Sequence, residues 1–230
     1  ILFFTATIYV NYASSVGLFN NSTQAAISGK YQTLFTPASY GFSIWGIIYL
    51  LLLGFVIYQS RSLFVSVSDD RFIEKTGGWF ILSCIANSLW CYLFVCDYIL
   101  LSTFVIFFIL FCLLQIVLRN KIKRYKAPIT TIVFLWSPFI IYSGWLTVAC
   151  IANVTIYLTK IGWDGWGLSP QGWTFILIGI ATLLNLIVTW RQNMREFALV
   201  GAWGLVAIGV ANTESYQAIT QMAYVCAGLL

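Results

Sequence analysis

Phe35-Thr36-Pro37-Ala38-Ser39-Tyr40-Gly41-Phe42-Ser43-Ile44-Trp45-Gly46-Ile47-Ile48-Tyr49 is the stretch whose reading decides the fold. It opens an apolar run with a proline, a turn of small residues and a series of aromatics. Proline suits the start of a helix, where the N–H it lacks would have no partner. From Phe42 the aromatics recur at steps of three and four, so Phe42, Trp45 and Tyr49 share a helical face, which predicts one wall of a pocket.

The rest of the chain has the same character. Of its 230 residues 60% are hydrophobic and only 8% charged, and the mean hydropathy is +0.89, so the chain reads as an all-α integral membrane protein. Apolar runs long enough for a hydrocarbon core lie at 1–19, 39–59, 77–95, 98–118, 129–158, 171–190, 197–212 and 216–230. They predict seven transmembrane helices and a weaker eighth. Cys96-Asp97-Tyr98 is placed at a break because the run from Gly77 to Leu118 is too long for one crossing. The first run is read as a retained helix, since no basic leader or cleavage site precedes it.

The twelve basic residues outnumber the seven acidic ones, and their placement is uneven. Arg61, Arg71 and Lys75 lie between the second and third runs. Arg119, Lys121, Lys123, Arg124 and Lys126 follow the fourth, and Arg191 and Arg195 follow the sixth. Only Lys30 and Lys160 fall on the opposite loops, so the positive-inside rule puts the N-terminus on the cytoplasmic or equivalent side. The basic loop has no interleaved aromatics beyond Tyr125. It reads as a lipid-facing orientation signal, with no nucleic-acid partner.

Missing residues exclude whole classes of chemistry. The chain has no histidine, which removes the usual zinc sets, the Ser-His-Asp and Cys-His nucleophile systems and histidine-ligated haem. Cys84, Cys91, Cys96, Cys112, Cys150 and Cys226 lie in or at the ends of apolar runs without a CxxC spacing, and read as reduced, buried side chains. Asp97 and Glu214 fall at predicted helix ends on the outer side. Without ionisable groups deep in the runs, ion-coupled transport and voltage sensing are poor readings. No catalytic residue and no metal site is expected.

Two further runs carry stripes like the one at Phe42. Trp79, Ser83, Asn87, Trp90 and Phe94 line one face of the third helix, and Tyr142, Trp145, Ala149, Asn153 and Tyr157 one face of the fifth. Pro138 and Gly144 can bend that fifth helix or let a neighbour approach. A carboxamide in hydrocarbon is costly unless paired, so Asn87 and Asn153 must each hydrogen-bond another helix, a water or a ligand. Counted from the outer boundary, Trp45 lies at ~10 Å, Asn87 at ~12 Å and Asn153 at ~8 Å, which predicts a shared cavity roofed by the loop from Asn20 to Thr36. An interfacial aromatic belt with Asn-mediated packing would give the same pattern.

These residues resemble the translocator protein family, also called tryptophan-rich sensory protein. Leu34-Phe35-Thr36-Pro37 with Tyr40, Phe42, Trp45 and Tyr49 is similar to the start of that family's second helix. Asn87, Trp90 and Phe94 are similar to its N-x-x-W-x-x-x-F stretch, and Trp145, Ala149, Asn153 and Tyr157 to the pattern of its fifth helix. Ala38 stands in place of the family's second proline, Phe42 and Trp45 are one residue closer than usual, and Pro138 is one turn early. Val154, Tyr157 and Lys160 also fit a common cholesterol-contact pattern.

The resemblance implies a five-helix bundle over 1–158, with two or three further transmembrane helices appended over 159–230. It implies binding of a porphyrin, haem or sterol-like lipid in an aromatic-lined intramembrane pocket, for sensing or transport. The ligand-binding residues expected are Tyr40, Phe42, Trp45, Tyr49, Asn87, Trp90, Phe94, Tyr142, Trp145, Ala149 and Asn153. No cofactor is required, and a bound tetrapyrrole or sterol-like lipid would be the ligand itself. Membrane lipid and a hydrophobic small molecule are the expected partners, with a homodimer or larger membrane complex compatible. The alternative is a structural or accessory subunit whose aromatic stripes bury against other proteins.

Overall fold

The computed structural model describes residues 1–64, 71–123 and 125–230, and only the backbone of Arg71. Arg124 and the side chain of Arg71, both counted in the basic loops, lie outside the described residues. The described residues form helices and connecting turns, with no strand. In chain order the helices are α1 (Leu2–Ser15), α2 (Gln24–Lys30), α3 (Ile44–Ser60), α4 (Arg71–Val95), α5 (Ile99–Arg119), α6 (Ile129–Lys160), α7 (Pro170–Gln192), α8 (Arg195–Ala211) and α9 (Gln217–Leu229).

The chain is a multi-pass membrane protein. Ser39–Leu63, Phe72–Val95, α5, α6 and α7 are long and apolar enough to cross a bilayer. The 17 residues of α8 reach ~25 Å, whereas the 14 of α1 and 13 of α9 reach ~20 Å. The runs expected at 1–19, 197–212 and 216–230 are therefore helices in the expected places, but shorter than the others.

Local chemistry explains the helix ends. Ser169 accepts a hydrogen bond from the Gly172 N–H at 3.1 Å, and Pro170 follows as the first residue of α7. That helix stops at Asn193, in the left-handed conformation an asparagine tolerates. Pro37 does not itself begin α3: a 3-10 turn over Ser39–Ser43 intervenes, and Ala38 instead donates its N–H to the Ala207 carbonyl at 3.0 Å. In α6 the proline at 138 removes a backbone donor, and the helix passes through a π turn over Ile132–Trp136 just before it. The Ser137 hydroxyl takes up the Ile132 carbonyl there at 2.8 Å.

Helix α4 packs between α1 and α5, α5 packs on α6, and α6 carries α8 on another face. Small residues permit that last contact. A Cβ on Gly144 would stand 3.2 Å from Val200 and 3.3 Å from the Phe197 carbonyl, and one on Gly204 would stand 3.1 Å from Val148. The neighbour that Gly144 admits is therefore α8, which adds Phe197 and Val200 to the core built by Ile48, Leu113, Phe139 and Leu146. A second core joins Val148 of α6 to Ile178, Leu205, Ile208 and Ala223 of the last three helices.

Polar contacts mark the two ends of the bundle. At one, Asp97 meets Lys30 and Lys160. At the other, Asn120 donates to the Thr76 hydroxyl at 2.8 Å, and Lys123 pairs with Glu196 at 2.6 Å. Successive connections thus alternate between the ends, as the distribution of basic residues predicts.

Candidate functional site

A cavity of about 50 Å³ lies at the Asp97 end of the bundle. Phe42 and Trp45 form one wall, Trp90 and Phe94 of α4 a second, and Trp145, Ala149 and Asn153 of α6 a third. Gln24 and Ser28 of α2, with Thr36 and Pro37, cover it. Val148, Ala152 and Ile156 complete the α6 side.

The walls hold one another in place. Trp45 stacks on Trp90 with centroids 6.1 Å apart and on Tyr49 at 5.6 Å, and meets Tyr142 edge-on at 5.7 Å. Phe42 meets Trp145 edge-on at 6.1 Å. The Trp90 indole donates to Asn153 Oδ1 at 3.0 Å, and Asn153 Nδ2 donates to Thr103 at 2.7 Å and Ser102 at 3.1 Å. One buried carboxamide thereby ties α4, α5 and α6 together, which meets the requirement that Asn153 find partners.

Asn87 is satisfied as well, but at a different place. Its Nδ2 donates to the Tyr142 hydroxyl at 2.6 Å, and its Oδ1 accepts from Asn11 Nδ2 at 2.7 Å. It borders a second, smaller cavity of about 10 Å³ with Tyr49, Tyr142, Thr7 and Ser83. The expected single cavity shared by Asn87 and Asn153 is therefore two. The reason is α1, whose Asn11 engages the Asn87 carboxamide by a hydrogen bond. Of the eleven expected residues, Phe42, Trp45, Trp90, Phe94, Trp145, Ala149 and Asn153 line the larger cavity and Tyr49, Asn87 and Tyr142 the smaller. Tyr40 lines neither; it is half exposed and packs edge-on against Trp203 of α8 at 5.4 Å.

The roof is fastened at several points. Lys30, at the end of α2, reaches Asp97 at 2.7 Å, and the neighbouring Tyr31 hydroxyl donates to the same carboxylate at 2.9 Å. Lys160 at the end of α6 donates to Asp97 Oδ1 at 2.9 Å and also to the Asp97 carbonyl. The Thr33 hydroxyl lies within hydrogen-bond reach of Thr36 at 3.1 Å and Thr155 of α6 at 3.2 Å. Burial alone would raise the Asp97 carboxyl. The hydrogen bonds from Lys30, Lys160 and Tyr31 outweigh it and hold the group down at about 2.

A family model described as TSPO-like protein matches residues 1–230. The chain belongs to that family. The match takes in α7, α8 and α9 together with the stripes before them. No curated protein and no solved structure matches the chain.

In this TSPO-like protein sequence reasoning placed the roof but passed over the helix within it and the Asn11 of α1. Thr23 accepts from the Ala26 N–H at 3.1 Å and starts α2; a threonine ahead of Gln24-Ala25-Ala26-Ile27 is the signal that could have found that helix. Asn11 is a lone amide inside an apolar run, subject to the same pairing argument as Asn87. Among the described residues, none of the side chains lining the larger cavity ionises near neutral pH, so it offers stacking surfaces and hydrogen bonds rather than acid–base groups.

Proposed function

We propose that the larger cavity is the binding site of a hydrophobic ligand, a porphyrin or a sterol-like lipid, which the protein senses or carries. The observation that carries this reading is the convergence of seven aromatic, small and amide side chains from three helices under one roof. The cavity has aromatic walls and few polar groups, the composition of a small-molecule site. Its present size is the counterweight. About 50 Å³ holds a few waters, whereas a drug-sized ligand occupies a pocket of roughly 300 Å³ or more.

Binding therefore requires the cavity to open, and among the described residues the roof from Gln24 to Pro37 is the part of its lining outside the membrane-spanning segments. Haem iron would gain no axial ligand here. Among the described residues no tyrosine, cysteine or methionine lines the cavity, and the chain has no histidine, so the residues present do not fit an iron centre. A tetrapyrrole would be held by stacking and shape.

Titration of purified protein with protoporphyrin and with cholesterol tests the reading. Trp145→Ala should weaken binding more than Trp173→Ala, by ~1–3 kcal/mol if stacking on Trp145 resembles base–aromatic stacking. Trp173 is a fair control because it packs against Trp163 at 5.0 Å, away from the cavity. Equal losses for the two variants, or no binding by the wild type, would count against the site, and the latter would favour an accessory subunit.

A further inference from the structure

Among the described residues, α8 contributes no side chain to the lining of the larger cavity, yet it holds the chain beside that lining. Residues 34–41 run along α8 in the opposite direction. The Leu34 carbonyl accepts from Asn212 Nδ2 at 2.9 Å, and Phe35 is buried in one core with Leu205 and Ile208. Further on, the Ala38 N–H donates to the Ala207 carbonyl at 3.0 Å, and the Gly41 carbonyl accepts from the Trp203 indole at 3.0 Å.

Ala38 and Gly41 are the neighbours of Pro37 and Phe42, which do line the cavity. The fit between turn and helix is close. A Cβ on Gly41 would stand 2.9 Å from the Ala207 Cβ, so a residue without a side chain lets the two approach. A second part of the lining is backed in the same way: Val148 faces Gly204 of α8, where a Cβ would stand 3.1 Å from it.

From these contacts we infer that α8 positions the ligand site, fixing through Ala38 and Gly41 where Pro37 and Phe42 stand, with Trp203 and Ala207 as its positioning residues. The inference rests on the proposed ligand site and adds to it a helix that touches no ligand. The segment after residue 158 is then part of the framework of the site rather than an appendage to it.

Gly41→Ala tests this, because the new methyl meets that of Ala207 and pushes the turn from α8 while every cavity side chain is kept. Protoporphyrin and cholesterol are each titrated into the full chain in lipid nanodiscs, with empty nanodiscs correcting for partition. Whichever probe the wild type binds is carried through the variants. Gly41→Ala should weaken binding about three- to tenfold, and so should Trp203→Phe, which removes the donor to the Gly41 carbonyl, the range of one net hydrogen bond. Adding Ala207→Gly to Gly41→Ala should restore affinity, since it removes the methyl that collides. Gly201→Ala changes the same helix where it faces Asn185 of α7, and should cost stability without changing affinity. With 4-fluorophenylalanine in place of Phe42, the fluorine resonance reports that ring beside Trp145. It should move in Gly41→Ala and Trp203→Phe, return in the double variant and stay put in Gly201→Ala.

Unchanged affinity in both Gly41→Ala and Trp203→Phe would overturn the inference and leave the ligand site standing. An equal loss in Gly201→Ala would do the same, reducing α8 to a stabilising helix. Failure of the wild type to bind either probe would overturn the site and the inference together. Should Gly41→Ala not fold, Trp203→Phe and its fluorine signal still decide.

Discussion

Lys30 and Asp97 are joined at 2.7 Å across the top of the larger cavity, one at the end of the roof helix α2 and the other in the turn between α4 and α5. Asp97 itself has a left-handed backbone, with φ of 65°, and takes Lys160 on its other oxygen. A roof helix of seven residues is too short to be stable alone, so its position depends on such attachments. The same carboxylate meets the end of α6, which makes it the point where roof and bundle are held together.

That relationship fixes a pH window. The Asp97 carboxyl is held at about 2 against an ordinary 3.8, so its contribution to the fold is fully present above about pH 4 and is lost as pH falls through 2. Amide protection factors over 24–37 should be flat from pH 7 to 4 and fall below that. Asp97→Asn should lower roof protection already at pH 7. Loss of protection between pH 7 and 5 in the wild type would assign the attachment to another group.

Asn153 hydrogen-bonds across α4, α5 and α6. Asn153→Ala removes its bonds to Trp90, Ser102 and Thr103 and leaves a buried indole N–H unpaired. Interhelical hydrogen bonds in membranes average ~0.6 kcal/mol and reach ~1.7, so a loss of about 1–2 kcal/mol is expected in mixed-micelle unfolding. An unchanged midpoint would show that the three helices hold without it.

Much of this was legible in the sequence, and for identifiable reasons. The stripes at Trp45, Trp90 and Trp145 could be placed because aromatic spacing and helical rise are local properties, and seven of the eleven residues reach the larger cavity. What escaped depends on partners distant in sequence. Asn87 gave no sign that Asn11 would draw it to a second cavity, and Tyr40 none that Trp203 would draw it towards α8. That Lys30 and Lys160 would meet on Asp97 was not visible, since nothing local says that one carboxylate will gather two ammonium groups.

The contact of α7 with α8 offers a sharper test of packing. A Cβ on Gly201 would collide with the buried carboxamide of Asn185, whose Nδ2 would lie 2.8 Å away and its carbonyl oxygen closer still. Gly201→Ala should therefore destabilise the protein by ~1–3 kcal/mol, the usual cost of overpacking. In an Asn185→Ala background most of that cost should disappear, because the two sites are in contact and couple. Strictly additive losses would place the strain of Gly201→Ala elsewhere.

The last prediction concerns which way the bundle sits in its membrane. Ten of the twelve basic residues lie on the connections at one set of helix ends, and the structure puts the Lys123–Glu196 pair at the opposite end from Lys30, Asp97 and Lys160. By the positive-inside rule the loop from Arg119 to Lys126 faces the cytoplasmic side, and the connection from Lys160 to Pro170 faces away. Lys126→Cys and Trp166→Cys, both at exposed positions, report on the two loops. Five of the six native cysteines are buried and Cys96 is partly so, so the unsubstituted protein supplies the background. In sealed, uniformly oriented vesicles an impermeant maleimide should label the two variants from opposite sides. Labelling of both from the same side would contradict the alternation of connections and, with it, the position of the cavity in the outer half of the membrane.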